Sequence, residues 1–411
     1  MKITGINIVK RVCRFEPIYK SEARSVGPLD VWEDYAFDRM DRNPRPVSVS
    51  KSEAPGTRTG LFVEIETDGG FTGQYGLIEN RSELLTIVDG LAYHLIGRDP
   101  LENRMLWDIM SRFDRHSRSG IMMMAISALD CALWDLKGKI LGLPVYKLLG
   151  GGRSRIKAYI SALGFSVEPE AAKKKALEIK AMGVKAQKWF FRYGPTDGAE
   201  GIRKNLDLAF ALRDALGADY ELMFDCWMGW TVNYAQKIFP ELEKVHPVWV
   251  EEVLRPHMLD GYRHLKSVTD IPLSAGEHLY TRMEVNSYLK ENIFAVMQSD
   301  PVWCGGISEC LRIAELCENY GVICIPHGHA LMPAMHVVAS MSADTCPYCE
   351  YLLVFMNQKN AFFKMEHISG SPGSTGLEID GYLSINDSPG LGEEIDRDRL
   401  VSEEVIHSFE F

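Results

Sequence analysis

At 411 residues, 46% of them hydrophobic, the chain is long enough for two or three domains, or for one barrel of about 250 residues carrying a second element. Its 45 Lys and Arg against 56 Asp and Glu leave a formal charge of −11, and no basic run suited to a phosphate backbone is present, so nucleic acid is not an expected partner. The nine cysteines run from Cys13 to Cys349, and their one close pair, Cys346 and Cys349, lacks the second pair a structural zinc site needs; the reading is a reducing, cytoplasmic setting. The N-terminus alternates like a strand rather than a signal peptide, and the longest apolar stretch, residues 121–129, is too short for a bilayer, so no membrane is expected.

In chain order, residues 1 to about 12 read as a strand and 60–67 as another, followed by the turn Asp68-Gly69-Gly70. Between them, residues 17–58 are polar and broken by Pro28, Pro44, Pro46 and Pro55, a long loop of the kind that serves as a lid. From Ser82 to about Leu149 the apolar spacing becomes helical, ended by Gly142 and Pro144, with Gly150, Gly151 and Gly152 as punctuation. Strand and helix then alternate: strands near 156–163, 183–191, 221–227, 247–252, 272–278, 295–300, 322–327 and, least clearly, 346–350. Eight strands with helices between them predict an α/β fold, a (β/α)₈ TIM-type barrel. The expected division is an α+β capping domain over 1–125, the barrel over 126–365, and a turn-rich segment 366–411 that returns to the cap.

Three acids close successive strands at equal intervals of 26: Asp225, Glu251 and Glu277. Strand-end acids are common and equal spacing arises by chance, but at the C-terminal rim of a barrel three carboxylates would converge. Converging anions repel unless a cation lies between them, and an all-oxygen set suits Mg²⁺ or Mn²⁺. The same rim carries Lys188, Asp300, His327 and Glu350. A carboxylate and an imidazole on neighbouring strand ends can hydrogen-bond, fixing the ring tautomer and leaving the other nitrogen for substrate protons, which favours Asp300 with His327 over a solvated loop histidine. His329 is the competing ring. Lys188 either snorkels to solvent or neutralises carboxylates, and Glu350 is either a surface acid or a partner of substrate oxygen.

The order and spacing of these residues resembles the enolase superfamily, in its mandelate racemase-type subgroup. The stretches AISALDCALWDLKGK, PVYKLLGG, SDPVWCGGISE and SPGLGEEID carry the likeness over most of the chain, and YGPTDGAEGIRKN, LMFDCWM, GEH and IPHG bring it nearest to rhamnonate dehydratases. The resemblance implies Mg²⁺ on Asp225, Glu251 and Glu277, and a catalytic Asp300–His327 dyad with Lys188 and Glu350 beside it. It also implies an acid-sugar substrate and a homo-oligomer, dimer or octamer. The implied reaction is loss of the proton next to the carboxylate and elimination of the 3-hydroxyl to a 2-keto-3-deoxy acid. A racemase or epimerase working through the same enediolate, and a non-catalytic metabolite-binding relative, are the alternatives. Two departures bear on this. Relatives with two bases carry Lys-x-Lys on the second barrel strand, where this chain has Lys188-Trp189-Phe190, and no histidine precedes His94, so the lid lacks the histidine that rhamnonate dehydratases place there. Arg24, Trp32, Arg42, Arg45 and Arg58 are the lid candidates, with nothing in the sequence to choose among them.

Overall fold

The computed structural model describes residues 1–17, 19–33, 56–78, 81–359, 361–364 and 381–410. Two sheets organise it. The first is antiparallel, with β1 (Ile3–Arg14), β2 (Thr57–Thr67), β3 (Thr72–Gly76) and the last strand, Leu400–Glu410, in the order last–β1–β2–β3. The buried Arg11 ties three of these strands together through Glu64 and Glu403, so no lone charge is left inside. The long helix Gly120–Leu141 lies on this sheet, and it approaches so closely at Gly73 that a Cβ there would collide with Ala132 and Leu136. Gly142, in the left-handed region at φ 67°, ends the helix as its sequence signals. The same helix packs against the barrel helix Gly306–Tyr320, where Asp130 accepts from the Ser308 amide at 2.9 Å and its hydroxyl at 2.6 Å. Residues 125 and 126 therefore lie inside one helix that spans cap and barrel.

The second sheet is the barrel: β4 (Arg155–Ser161), β5 (Ala186–Phe190), β6 (Glu221–Asp225), β7 (Val250–Glu251), β8 (Leu273–Ala275), β9 (Phe294–Met297), β10 (Ile323–Cys324) and β11 (Tyr348–Leu352). All neighbouring pairs are parallel, in the order β10-β9-β8-β7-β6-β5-β4-β11, and the Cys324 amide donates to Thr345 O at 2.8 Å across the β10–β11 seam. All eight expected strands are present, with the eighth centred two residues later than its sequence suggests. Two strands in the segment read as turn-rich were not expected: the last strand, Leu400–Glu410, which pairs with β1, and β12 (Tyr382–Ser384), which adds antiparallel to β4 and is too short to carry a periodicity. The final strand of the chain is thus β13. Among the described residues no helix is long and apolar enough to cross a membrane.

Side chains alternate along a strand, so two residues beyond each barrel-core position the next one points inward. The inner core contains Tyr159, Ala186, Met223, Trp249, Val296 and Ile325. One step up, the same six strands present Ser161, Lys188, Asp225, Glu251, Gln298 and His327. The apolar plug below therefore fixes the level at which the polar groups stand.

Outside the barrel, the buried His336 accepts from the Tyr146 amide at Nδ1 (3.1 Å) and donates from Nε2 to Leu391 O (3.1 Å). Both ring nitrogens are satisfied in the neutral form, and burial pushes the pKa from 6.5 down to about 4. The unfolded chain then binds the extra proton between those values, so stability is lost as pH falls through that window, by about 3 kcal/mol from this group. The difference in unfolding free energy between wild type and His336→Gln is expected to shrink by that amount from pH 7 to pH 4. A pH-independent difference would show the ring is not held neutral.

Candidate active site

The Lys188 ammonium is 2.5 Å from Glu251 Oε1, 2.8 Å from Glu350 Oε1 and 3.6 Å from Asp225 Oδ2. It is buried, so the solvent-snorkelling alternative is set aside. Burial opposes its charge, yet Glu251 and Glu350 outweigh that and hold its pKa well above the ordinary value. Glu350 is fully buried rather than a surface acid, and its Oε2 accepts from the Gly328 amide at 2.9 Å. Although burial favours its neutral form, Lys188, His327 and that amide bring its pKa down to about 2. The other oxygen of Glu251 accepts from Gln298 Nε2 at 2.6 Å and Trp249 Nε1 at 3.1 Å.

His327 donates from Nδ1 to Asp300 Oδ2 at 2.6 Å, while the other Asp300 oxygen accepts from the Val302 amide at 2.7 Å. The tautomer is thereby fixed and Nε2 is left toward the cavity, 3.4 Å from Glu277 Oε2 and 4.0 Å from Glu350 Oε2. Burial works against a charged ring, but Glu277, the Asp300 hydrogen bond and Glu350 lift its pKa to about 10. Trp303 stands against His327, His278 and His329 with ring centroids 5.2, 5.6 and 5.1 Å away. His329 is stacked on Phe355 at 4.5 Å.

The three evenly spaced acids share this rim at two depths. Asp225 and Glu251 are register partners on β6 and β7. Asp225 and Glu277 line a cavity of about 540 Å³ together with Lys188 and His327, whereas Glu251 lies behind Lys188. Burial raises Asp225 to about 7 and Glu251 to about 8, and Glu277 rises as well, with the neighbouring acids adding to each shift. Sequence reasoning missed a further acid. Glu252, at φ 41°, turns back toward the site, and His278 Nδ1 lies 2.8 and 3.1 Å from its two oxygens and 3.5 Å from Glu277 Oε1. Among the described residues, Glu252, Glu277 and His278 form the group whose potential ligand atoms all lie within 4.8 Å of one another. The doubled acid in Glu251-Glu252 was the available signal.

The cap closes one wall of the cavity with Ser21, Ala23, Arg24 and Ser25. Of the lid candidates, Arg42 and Arg45 lie outside the described residues, Trp32 is exposed, and Arg58 packs over the Phe15 ring.

A parallel (β/α)₈ barrel with acids, a lysine and an Asp–His pair at its C-terminal mouth, under an α+β cap, defines the enolase-type architecture. The chain belongs to the mandelate racemase and muconate lactonizing enzyme family of that superfamily. The enolase C-terminal domain-like model matches residues 171–399, and the mandelate racemase / muconate lactonizing enzyme N-terminal domain model matches residues 36–150. A protein of Caldivirga maquilingensis, provisionally named L-rhamnonate dehydratase, is 31% identical over 353 residues, covering 83% of this chain and 82% of its own. The crystal structure of rhamnonate dehydratase from Gibberella zeae complexed with Mg is 27% identical with a TM-score of 0.78, over 97% of this chain and 96% of that one. The 3,6-anhydro-D-galactonate cycloisomerase of Zobellia galactanivorans is 30% identical with a TM-score of 0.72, over 85% of this chain and 96% of that one.

Proposed function

We propose that this protein is a Mg²⁺-dependent acid-sugar dehydratase that removes the proton next to the carboxylate and eliminates the 3-hydroxyl, giving a 2-keto-3-deoxy sugar acid. The observation that carries the reading is the Asp300–His327 pair, with Nε2 directed to a cavity that Glu277 and Asp225 also line. The donor chemistry fits the metal: burial, with neighbouring acids adding to it, raises the pKa of all three carboxylates, and a divalent cation among them would favour their charged forms. Asp225, Glu251 and Glu277 would hold it, and bound Mg²⁺ would supply the positive charge that a carboxylate losing its α-proton requires.

His327 then acts alone. Glu277 would hold the ring proton less tightly if it were among the residues holding the cation, which would leave Nε2 available as the base. The same nitrogen returns the proton to the departing 3-hydroxyl from one face, a syn elimination. Lys188 is held as an ammonium by Glu251 and Glu350, and the next inward position on β5 is Phe190, so that strand offers no second base. This favours elimination over two-base racemisation.

The test is a library of mono-acid sugars, L-rhamnonate included, incubated with Mg²⁺ and scored for 2-keto acid. Deuterium appearing in recovered substrate without keto acid would favour the racemase reading, and Mg²⁺-dependent binding without any product a non-catalytic one. The ligand assignment has its own check. We expect Glu251→Gln to weaken Mg²⁺ binding more than about 100-fold, and Glu252→Gln, which acts through His278, to stay within about 10-fold. The opposite order would move the cation to Glu252, Glu277 and His278.

A further inference from the structure

The segment from Glu22 to Asp30 is fastened across the mouth of the barrel at three successive loops. The amides of Glu22 and Ala23 donate to Gly164 O at 2.6 and 3.1 Å, after β4, and the Val26 amide donates to Phe191 O at 2.8 Å, after β5. After β6, Gly229 admits the strap: a Cβ there would stand 2.6 Å from Val26 Cγ2 and 2.8 Å from the Gly27 nitrogen. Gly194 is a second such seat, with a Cβ 2.9 Å from Val26 Cγ2 and 3.2 Å from Asp30 O. Between these anchors Arg24 joins the cavity wall, on the cap side, while Lys188, Asp225, Glu277 and His327 come from the barrel.

Arg24 is itself held. Its Nη1 and Nη2 donate to the two oxygens of Asp30 at 2.7 and 2.9 Å, and Nη1 also donates to Ser25 O at 2.7 Å. Asp30 is 1% exposed and accepts from the Gly27 amide at 2.9 Å, which locks the turn that carries it. A bidentate pair of this kind fixes the guanidinium plane before any ligand arrives, and it leaves the pair with no net charge.

We propose that Arg24, set by Asp30 and the strap, reads the hydroxyls at the end of the sugar acid remote from its carboxylate. Because its charge is already matched, that end of the site accepts a neutral polyol and disfavours a second carboxylate. The proposal rests on the acid-sugar reading above and adds to it the residue that measures the distal end.

The test is calorimetric binding to the Mg²⁺-loaded protein of a six-carbon aldonate, the corresponding six-carbon diacid, and glycerate, which is too short to reach the distal end. Arg24→Met should weaken aldonate binding about 10-fold or more and leave glycerate within about 2-fold. Gly229→Ala, which displaces the strap without touching Arg24, should show the same selectivity. Asp30→Asn should raise the affinity for diacid relative to aldonate by about 5-fold or more, since it unmasks the guanidinium charge. Equal losses for aldonate and glycerate, or none for either, overturn the assignment of Arg24, and an unchanged diacid ratio overturns the charge argument. Failure of every six-carbon aldonate to bind wild type would instead sink the acid-sugar reading, and this inference with it.

Discussion

His327→Asn is expected to lower kcat for dehydration by about 10⁴-fold, the upper end of what one acid–base group contributes. The reason for the upper end is that in the proposed reaction one nitrogen serves twice, first removing the proton and then returning it to the leaving hydroxyl. Asparagine keeps a donor toward Asp300, so the buried carboxylate that now sits 2.6 Å from His327 Nδ1 is not stranded and the fold should survive. Mg²⁺ binding should persist, since the proposed ligands Asp225, Glu251 and Glu277 are untouched. The informative readout is exchange of the carbon-2 proton in D₂O, which must disappear together with product formation. Normal dehydration, or exchange that continues without it, would remove His327 from the base role. His329, which lines the same cavity and is 6.0 Å from His327 between ring centroids, would be the next residue to test.

The barrel strands were legible chiefly because short apolar stretches alternate with seven helical stretches of the expected spacing. The eighth strand, β12 and β13 were the hard ones: the first two have no run long enough to show a period, and β13 is mostly exposed, so it buries no alternating face. Asp225, Glu251, Glu277, Asp300 and His327 could be placed on one rim because each stands at the C-terminal end of its predicted strand, where parallel strands of a barrel share one mouth. What spacing cannot give is depth and partnership. Lys188 reads equally well as a snorkelling or a buried residue until β5 is seen between β4 and β6, with Glu350 two strands away. Glu252 should point away from the site by parity, and only the φ of 41° brings it back. Gln298 shares parity with Asp300, two residues on, yet its hydrogen bond to Glu251 crosses from β9 to β7 and leaves no trace in the sequence. Arg24 could not be chosen from five candidates because what distinguishes it, a place in a cavity wall, is made with chain segments over a hundred residues away.

Lys188→Met is expected to destabilise the metal-free protein by about 3–5 kcal/mol at neutral pH. The lysine is the shared counter-charge of Glu251 and Glu350, both 1% exposed or less, and methionine keeps its bulk but supplies no charge. With the ammonium gone, these carboxyls can remain inside only by taking up protons: Glu350 loses the charge that brings it down to about 2, and Glu251, already raised to about 8 by burial, is pushed further up. A carboxyl with a raised folded pKa stabilises fully below its unfolded pKa near 4.5 and loses that contribution as pH rises through the folded value. The penalty of the substitution should therefore be small near pH 5 and grow toward pH 8. Mg²⁺ held by the proposed ligand set would act on the same charges, since a cation on Glu251 would supply part of what Lys188 no longer does. Binding to the folded state alone adds about 2.7 kcal/mol at a hundred times Kd, and more where the cation is the main neutralising charge left. Denaturant unfolding with EDTA and with saturating Mg²⁺ should thus show a larger metal-induced gain for Lys188→Met than for wild type. Equal gains would mean that the cation and Lys188 do not share Glu251, and the ligand set would have to exclude it.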